Sequence, residues 1–226
     1  MVTLSTEDRQ RIAEAVAQAE TKTSGEVCCV LSEEASDYRE VPLAWAALVA
    51  LALPPATLAL GFRPLVLGEL ISGWAAQQSA AREVLVVLGT YAIGQAILFA
   101  IVALVVSIPA VRRLMTPSFV KRHRVRRMAR HHFATLMARL ADGAYAMIYV
   151  SRCDRMVEIV VSDTAGKACN AAVWHKAAAT LGESLGHNRA GEGFVVAIGL
   201  CGDELARHFP QGADKSNRLP DTLIEE

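Results

Sequence analysis

The sequence predicts an α/β fold: a small three-layer αβα sandwich around a mixed sheet, interrupted by a hairpin of two transmembrane helices. Residues 41–62 and 84–108 contain no charged side chain, although charged residues make up 20% of the chain. Short apolar runs typical of strands lie on both sides of this region. Segments with helical spacing of apolar residues accompany these strands, which favours a sheet covered by helices.

The first helix and the first strand precede the uncharged stretches. Ser5 or Thr6 can cap a helix, and Glu7 and Asp8 follow in its first turn. After a turn at residues 23–25, the run 26–31 is apolar with β-branched residues, which predicts a buried strand. The helix should pack one face on a core, because its apolar residues recur every three or four positions: Ile12, Ala15, Val16 and Ala19.

Each uncharged stretch is longer than the roughly 18 to 20 apolar residues that cross a bilayer. The alternative is a pair of buried core helices, but a soluble chain of 226 residues could not surround two such helices. Pro54 and Pro55 predict a kink or a break in the outer half of the first span. Residues 65–76 are too short to cross and contain Glu69, so we expect an interfacial segment there.

Basic residues crowd after the second span, whereas the loop between the spans contains only Arg63 and Arg82. The positive-inside rule therefore predicts a multi-pass protein with both termini in the cytoplasm. We expect the basic residues to contact anionic lipid headgroups, at about 1 kcal/mol per charge. Nucleic acid is not an expected partner, because few aromatic residues interleave with the basic ones. The predicted membrane-surface residues are Arg112, Arg113, Lys121, Arg122, Arg124, Arg126 and Arg127.

The remainder of the domain follows the basic segment. Apolar spacing predicts a helix over 128–140, two strands over 144–151 and 156–162 joined as a hairpin, and a helix over 171–185. A last helix ends at Pro210, and we expect a loose polar tail after it. The predicted organisation is residues 1–40 for the first helix and strand, 41–110 for the hairpin with its external loop, and 111–223 for the basic segment and the rest of the domain.

Cysteine and histidine spacings predict neither a disulfide framework nor a zinc site. The five cysteines include no C-x-x-C pair, and the six histidines show no H-E-x-x-H spacing. We expect reduced, buried thiols. No P-loop, G-x-G-x-x-G or G-x-S-x-G motif is present in the sequence either, so no catalytic motif is recognised.

Asp163 is the strongest candidate site residue, because a carboxylate at the exit of a strand faces the crevice where α/β sheets bind ligands. The alternative is an Asx turn or a helix cap. Glu26 begins the first strand, and the two carboxylates could together hold a divalent cation such as calcium through oxygen ligands. The alternative for Glu26 is a turn residue. Asp142 is a further candidate through its position in a loop.

Several segments resemble the TPM domain family of α/β domains, over about residues 6–32 and 128–223. Residues 12–16 and 19–27 resemble the opening helix, turn and first strand of that family, and Val157 to Asp163 resembles its strand ending in aspartate. Trp174 matches the family's helix tryptophan, and residues 205–210 resemble its closing stretch.

The resemblance is nearest to bacterial members in which a transmembrane hairpin splits the domain, which implies the bacterial inner membrane. It adds Glu20 and Thr23 as candidate site residues. It also implies calcium binding or acid phosphatase activity, as described for some members. Those members have a richer acidic cluster, whereas Asp163 is followed here by Thr164, Ala165 and Gly166.

The leading functional hypothesis is a non-enzymatic binding or accessory module that serves a membrane assembly from the cytoplasmic face. The alternative is a metal-assisted phosphatase that acts on phosphomonoesters and uses Asp163 and Glu26. A membrane-protein partner and a homo-oligomer are both compatible with two spans. A transporter or channel is less favoured, because neither span contains an ionisable residue.

Overall fold

The computed structural model describes residues 4–33, 38, 40–60, 80–138, 140, 142–212 and 218–225. The chain divides into two compact units: unit 1 is Met1–Ser36 with Ser118–Glu226, and unit 2 is Asp37–Pro117. The interfacial segment expected at 65–76 lies outside the described residues.

Unit 1 is built on a four-stranded mixed sheet, which confirms the predicted α/β class. The strands are β1 (Glu26–Ser32), β2 (Tyr145–Ser151), β3 (Met156–Val161) and β4 (Ile224–Glu225), in the order β3-β2-β1-β4. β1 is parallel to β2 and to β4, whereas β2 and β3 form the predicted antiparallel hairpin. Ser32 and Ser151 therefore lie at the carboxyl edge of the parallel strands, and Glu26 and Tyr145 lie at the amino edge.

Eight helices are present among the described residues. Unit 1 contains α1 (Thr6–Glu20), α5 (Ser118–Met137), α6 (Asp163–Ala168), α7 (Ala171–Gly186) and α8 (Ala190–His208). Unit 2 contains α2 (Glu40–Ala59), α3 (Ala80–Ser107) and α4 (Pro109–Met115).

Helices cover both faces of the sheet. Val27 and Cys29 of β1 pack in one apolar cluster with α1, α7 and α8, whereas Cys28 and Val30 pack in another with Val125 and other residues of α5. Because successive side chains of a strand point to opposite faces, both faces of β1 and β2 are buried. This explains why the two strands are continuous apolar runs in the sequence.

The first helix forms as predicted, with Ser5 as its cap. The Ser5 hydroxyl accepts a hydrogen bond from the Asp8 backbone N–H at 3.0 Å, and the Asp8 carboxylate accepts one from the Ser5 backbone N–H at 3.0 Å. This capping box satisfies backbone donors that the first turn leaves free. Arg9 of the same helix pairs with Glu225 of β4 at 2.6 Å, which links α1 to the end of the chain.

Two expectations about unit 1 differ from the structure. The helix expected over 128–140 begins earlier, at Ser118, because the basic residues occupy the outer side of the same helix whose inner side contains Val125 and Ala129. The tail is not loose at its end: Leu219 is buried, and Ile224 pairs with β1.

In unit 2, α2 and α3 pack side by side. The Gln95 side-chain amide donates to the Ala50 carbonyl at 2.9 Å, and the Trp45 indole N–H donates to the Met115 carbonyl at 3.0 Å. α2 continues through Pro54 and Pro55 to Ala59 rather than ending at the prolines.

Among the described residues, one helix is long and apolar enough to cross a membrane, at Glu40–Thr57. A second is found if Tyr91–Ser107 and Pro109–Met115, which meet at an angle of 97°, are counted as one broken span. Length and composition alone support these spans, and a buried core helix or a signal sequence can meet the same criteria.

Candidate functional site

The structure places Glu26 and Asp163 at the same edge of the sheet but not beside each other. Glu26 begins β1 opposite Tyr145 of β2, and β3 runs antiparallel to β2, so its end also lies at this amino edge. β2 separates the two residues, and two strand spacings amount to about 9 to 10 Å. Glu26 shares the α5 face with Cys28, whereas α6, which Asp163 begins, packs through Ala165 on the other face. The sheet therefore does not bring these carboxylates around one cation.

Glu26 is buried, at 4% exposed, and binds the C-terminal segment. Its Oε1 accepts a hydrogen bond from the Arg218 backbone N–H at 3.1 Å. The Arg218 guanidinium in turn donates to the Tyr145 hydroxyl at 3.3 Å, and this hydrogen bond raises the pKa of Arg218. These contacts give Glu26 a structural role at the start of β1.

Asp163 is exposed in the first turn of α6, where the helix dipole favours a negative charge. The cap of this helix is Ser162, one residue before the aspartate. The Ser162 hydroxyl accepts from the Ala165 backbone N–H at 3.3 Å and donates to the Gly143 carbonyl at 2.8 Å. Asp163 thus follows the cap and leaves its carboxylate exposed. Since β3 is antiparallel, Asp163 does not lie in the crevice at the carboxyl ends of the parallel strands.

The candidates added by the resemblance stabilise the turn between α1 and β1. Glu20 is buried and accepts from the Val27 backbone N–H at 3.2 Å. The Thr23 hydroxyl donates to the Phe209 carbonyl at 2.6 Å. Asp142, which was a candidate through its loop position, is exposed just before β2.

A cationic cavity lies between α5 and the β2–β3 hairpin, and its volume is about 570 Å³. Arg126 pairs with Glu158 of β3 at 2.8 Å, while Arg122 lies one helical turn earlier on α5. Arg155, in the hairpin turn, has a backbone φ of 51°, in the left-handed region that glycine and asparagine favour. The lining residues are Arg122, His123, Val125, Arg126, Arg155, Met156, Val157 and Glu158.

The position of the cavity follows from the topology of the sheet. The β2–β3 turn follows Ser151, which pairs with Ser32 at the carboxyl edge. This is the edge where α/β sheets usually bind ligands. Three arginines and a histidine face one carboxylate there, so the cavity suits an anion.

The predicted membrane-surface residues fall in both units. Arg112 and Arg113 are on α4 in unit 2, and the other five are on α5 in unit 1. Arg122, Arg126 and Arg127 are exposed on α5.

Sequence reasoning missed Arg155, Glu158 and Arg218. Arg155 lies in the polar hairpin turn that was predicted, so a basic residue in that turn was the available signal. The approach of the turn to α5 is a tertiary contact that no local pattern encodes. Arg218 lies in the tail that was expected to be loose.

No protein-family model matches the chain. No curated protein matches it either. One solved structure is similar: the NMR structure of the BA42 protein from the psychrophilic bacterium Bizionia argentinensis. The chain shares a fold with BA42. The TM-score is 0.54 at 15% identity, with 99% of this chain and 95% of the BA42 chain covered, and at this identity the similarity shows the fold alone.

Proposed function

We propose that the chain is a membrane-anchored member of the TPM domain family in the bacterial inner membrane. In this proposal α2 and α3 form a transmembrane hairpin, and unit 1 acts on the cytoplasmic side as a binding or accessory module for a membrane assembly. The observation that supports the proposal best is the exposed apolar surface of unit 2.

Large apolar side chains of α2 and α3 point to the surroundings, among them Leu51 at 67% exposed and Leu104 at 73% exposed. In water such a surface is unfavourable by about 25 cal/mol per Å², whereas lipid solvates it. The helices contain 20 and 28 residues, which at 1.5 Å per residue gives about 30 and 42 Å. Both helices are long enough to cross a hydrocarbon core of about 30 Å.

The polar group between these helices also fits a bilayer. Gln95 of α3 is the residue whose side chain donates to the Ala50 carbonyl of α2. A polar side chain in lipid is tolerated when it bonds to a neighbouring helix. This contact would stabilise the hairpin.

The cationic cavity supplies the surface chemistry of the module. Basic residues near an anionic leaflet contribute about 1 kcal/mol each. Arg122, Arg126 and Arg155 would therefore hold an anionic lipid headgroup against unit 1, while the partner protein or a second copy binds elsewhere on the module.

Anchoring is tested with a charged substitution in a span and a matched control outside it. Ile97, 55% exposed, lies in the uncharged stretch of α3, and Leu114, 85% exposed, lies in α4 beyond it. Ile97→Arg should oppose insertion by about 2.5 to 3.5 kcal/mol, whereas Leu114→Arg should leave insertion unchanged. Alkaline extraction of membranes and reporters fused to each terminus measure the outcome.

Extraction of the unaltered chain into the soluble fraction, or equal behaviour of the two variants, would contradict anchoring. A terminal reporter on the periplasmic side would contradict the proposed orientation. Crosslinking in cells followed by mass spectrometry then identifies the membrane assembly.

The phosphatase alternative has less support, because the sheet keeps Glu26 and Asp163 two strands apart and Glu26 already binds the Arg218 backbone. Its test is an assay of phosphomonoesters with calcium, magnesium and manganese. Turnover that is lost in Asp163→Asn would overturn the binding-module proposal.

A further inference from the structure

Three potential metal ligands converge in unit 1, and none of them lines the cationic cavity. Cys169 is the C-cap residue of α6, just before the Asn170 cap of α7. Glu204 and His208 lie one turn apart near the end of α8. A thiol sulfur, a carboxylate oxygen and an imidazole nitrogen of these residues lie within 4.8 Å of one another. Cys169 and Glu204 are buried, and His208 is exposed.

We propose that Cys169, Glu204 and His208 bind a divalent transition-metal ion, with Zn²⁺ as the expected occupant. Thiolate, imidazole and carboxylate are the three ligand types of protein zinc sites. Calcium and magnesium are disfavoured, since they require oxygen ligands and avoid sulfur. The proposal does not rest on membrane anchoring.

The geometry is close to that of a zinc site. The His208 Nε2 and the Glu204 Oε1 are 3.4 Å apart. Bond lengths of about 2.0 to 2.2 Å in a tetrahedral site place a nitrogen and an oxygen ligand about 3.4 Å apart. The Cys169 sulfur, as the third ligand of the site, lies within 4.8 Å of a carboxylate oxygen of Glu204 and an imidazole nitrogen of His208.

The surroundings of Glu204 hold its carboxylate in place. The Asn170 backbone N–H donates to Oε1 at 2.8 Å, and the Arg207 guanidinium donates to Oε2 at 3.2 Å. Such outer contacts orient metal ligands and affect affinity by about 10- to 100-fold. Binding releases the thiol proton to water and uses neutral imidazole. The charges of Zn²⁺, thiolate and carboxylate then sum to zero in a largely buried site.

The competing explanation is structural. Glu204, 3% exposed, would only satisfy the Asn170 N–H and pair with Arg207, and neither Cys169 nor His208 would bind a metal. The two explanations differ in what happens when a metal ion is added.

The test adds Co²⁺, a spectroscopic substitute for Zn²⁺, to the purified full-length chain in increasing amounts. Any polyhistidine tag is removed first. We expect visible tetrahedral d–d bands, a near-ultraviolet thiolate-to-cobalt band, and loss of both on addition of Zn²⁺. Cys169→Ser should remove the thiolate band. Cys169→Ser and His208→Gln should each weaken Zn²⁺ binding by about 10-fold or more, measured by competition with a chromophoric chelator.

Matched controls are Cys153→Ser and His175→Gln, at a half-buried cysteine and an exposed histidine outside the cluster. Both should bind Co²⁺ and Zn²⁺ as the unaltered chain does. Far-ultraviolet circular dichroism checks folding. Glu204→Gln retains an acceptor for Asn170 and serves as a second ligand variant if either of the others fails to fold. A spectrum without a thiolate band, or one that persists in Cys169→Ser, would overturn the proposal.

Discussion

Gly202 lies where α8 packs closely on α1, and replacing it with alanine should make unit 1 less stable than the same replacement at Gly199 does. A Cβ atom at this position would lie 2.6 Å from the Ala19 Cβ and 3.4 Å from the Ala19 Cα. Both neighbours belong to a short, rigid residue on α1, so neither can rotate away. Relief requires the two helices to separate by about 1 Å, since unbonded carbon atoms prefer about 3.5 to 4.0 Å.

The expected loss in the free energy of unfolding follows from a comparison with Gly199, one turn earlier on the same helix. A Cβ atom there meets nothing within 4 Å. Replacing either glycine with alanine gains about 1 kcal/mol of helix propensity. Only Gly202→Ala adds an overpacking cost of about 1 to 3 kcal/mol. Because the gain in propensity is common to both, Gly202→Ala should be less stable than Gly199→Ala by about 1 to 3 kcal/mol.

Urea unfolding of the full-length chain measures the difference through the fluorescence of Trp174, which is buried in unit 1. Replacing Trp45 and Trp74 with phenylalanine leaves Trp174 as the only tryptophan among the three in the sequence. Equal midpoints for the two glycine variants, or a more stable Gly202→Ala, would refute the close packing of α1 on α8.

Three further predictions concern other parts of unit 1. The hydrogen bond from Arg9 of α1 lowers the pKa of Glu225 from the ordinary 4.5, so the ion pair stabilises β4 above about pH 4.5 and this stabilisation is lost as pH falls through the lowered pKa. Glu225→Gln should flatten the pH dependence of hydrogen exchange in β4, and an unchanged pH profile would contradict the prediction. Burial raises the pKa of Cys201 to about 12, so iodoacetamide at about pH 8 should modify the half-buried Cys153 before Cys201. Peptide mass spectrometry measures the order of modification, and the reverse order would contradict the burial of Cys201. Ser162→Ala should lower the free energy of unfolding by about 1 to 2 kcal/mol because it removes the α6 cap, whereas Asp163→Asn, at an exposed side chain, should change it by less than about 0.5 kcal/mol. Urea unfolding measures both variants, and similar losses in the two would mean that Asp163 contributes to the cap.

The sequence was sufficient to predict the helices and strands that are specified by neighbouring residues. The start of α1 was predicted with Ser5 or Thr6 as its cap, and the structure selects Ser5. The two apolar runs on either side of residues 152–155 predicted the β2–β3 hairpin. The sequence was insufficient for β4, since Ile224 and Glu225 form a strand only by pairing with β1, almost 200 positions earlier in the chain. The start of α5 was missed because its basic outer residues obscured the apolar spacing of Val125 and Ala129.

The candidate site shows the same division between local and tertiary information. Asp163 was placed correctly at the end of a strand, but ligand-site reasoning also requires the direction of that strand. Nothing in the residues 156–162 says whether the strand is parallel to β1. Glu204 and His208 have the i, i+4 spacing of a helical ligand pair in the sequence, but Cys169 comes 35 positions before Glu204 and only the fold brings it near.

The order of the strands connects the cationic cavity with the proposed anchoring. β1 and β2 are adjacent and parallel, and parallel neighbours require a crossover connection. Helix α5 is the crossover helix, so residues 37–117 are an insertion into an ordinary β-α-β unit. The chain leaves β1 for this insertion after Ser32, at the carboxyl edge of the sheet. Arg155 and the cavity lie on that same edge, whereas Glu26 and Asp163 lie on the opposite one. If the inserted helices enter a bilayer, the edge from which they depart is the one that a cationic surface should occupy.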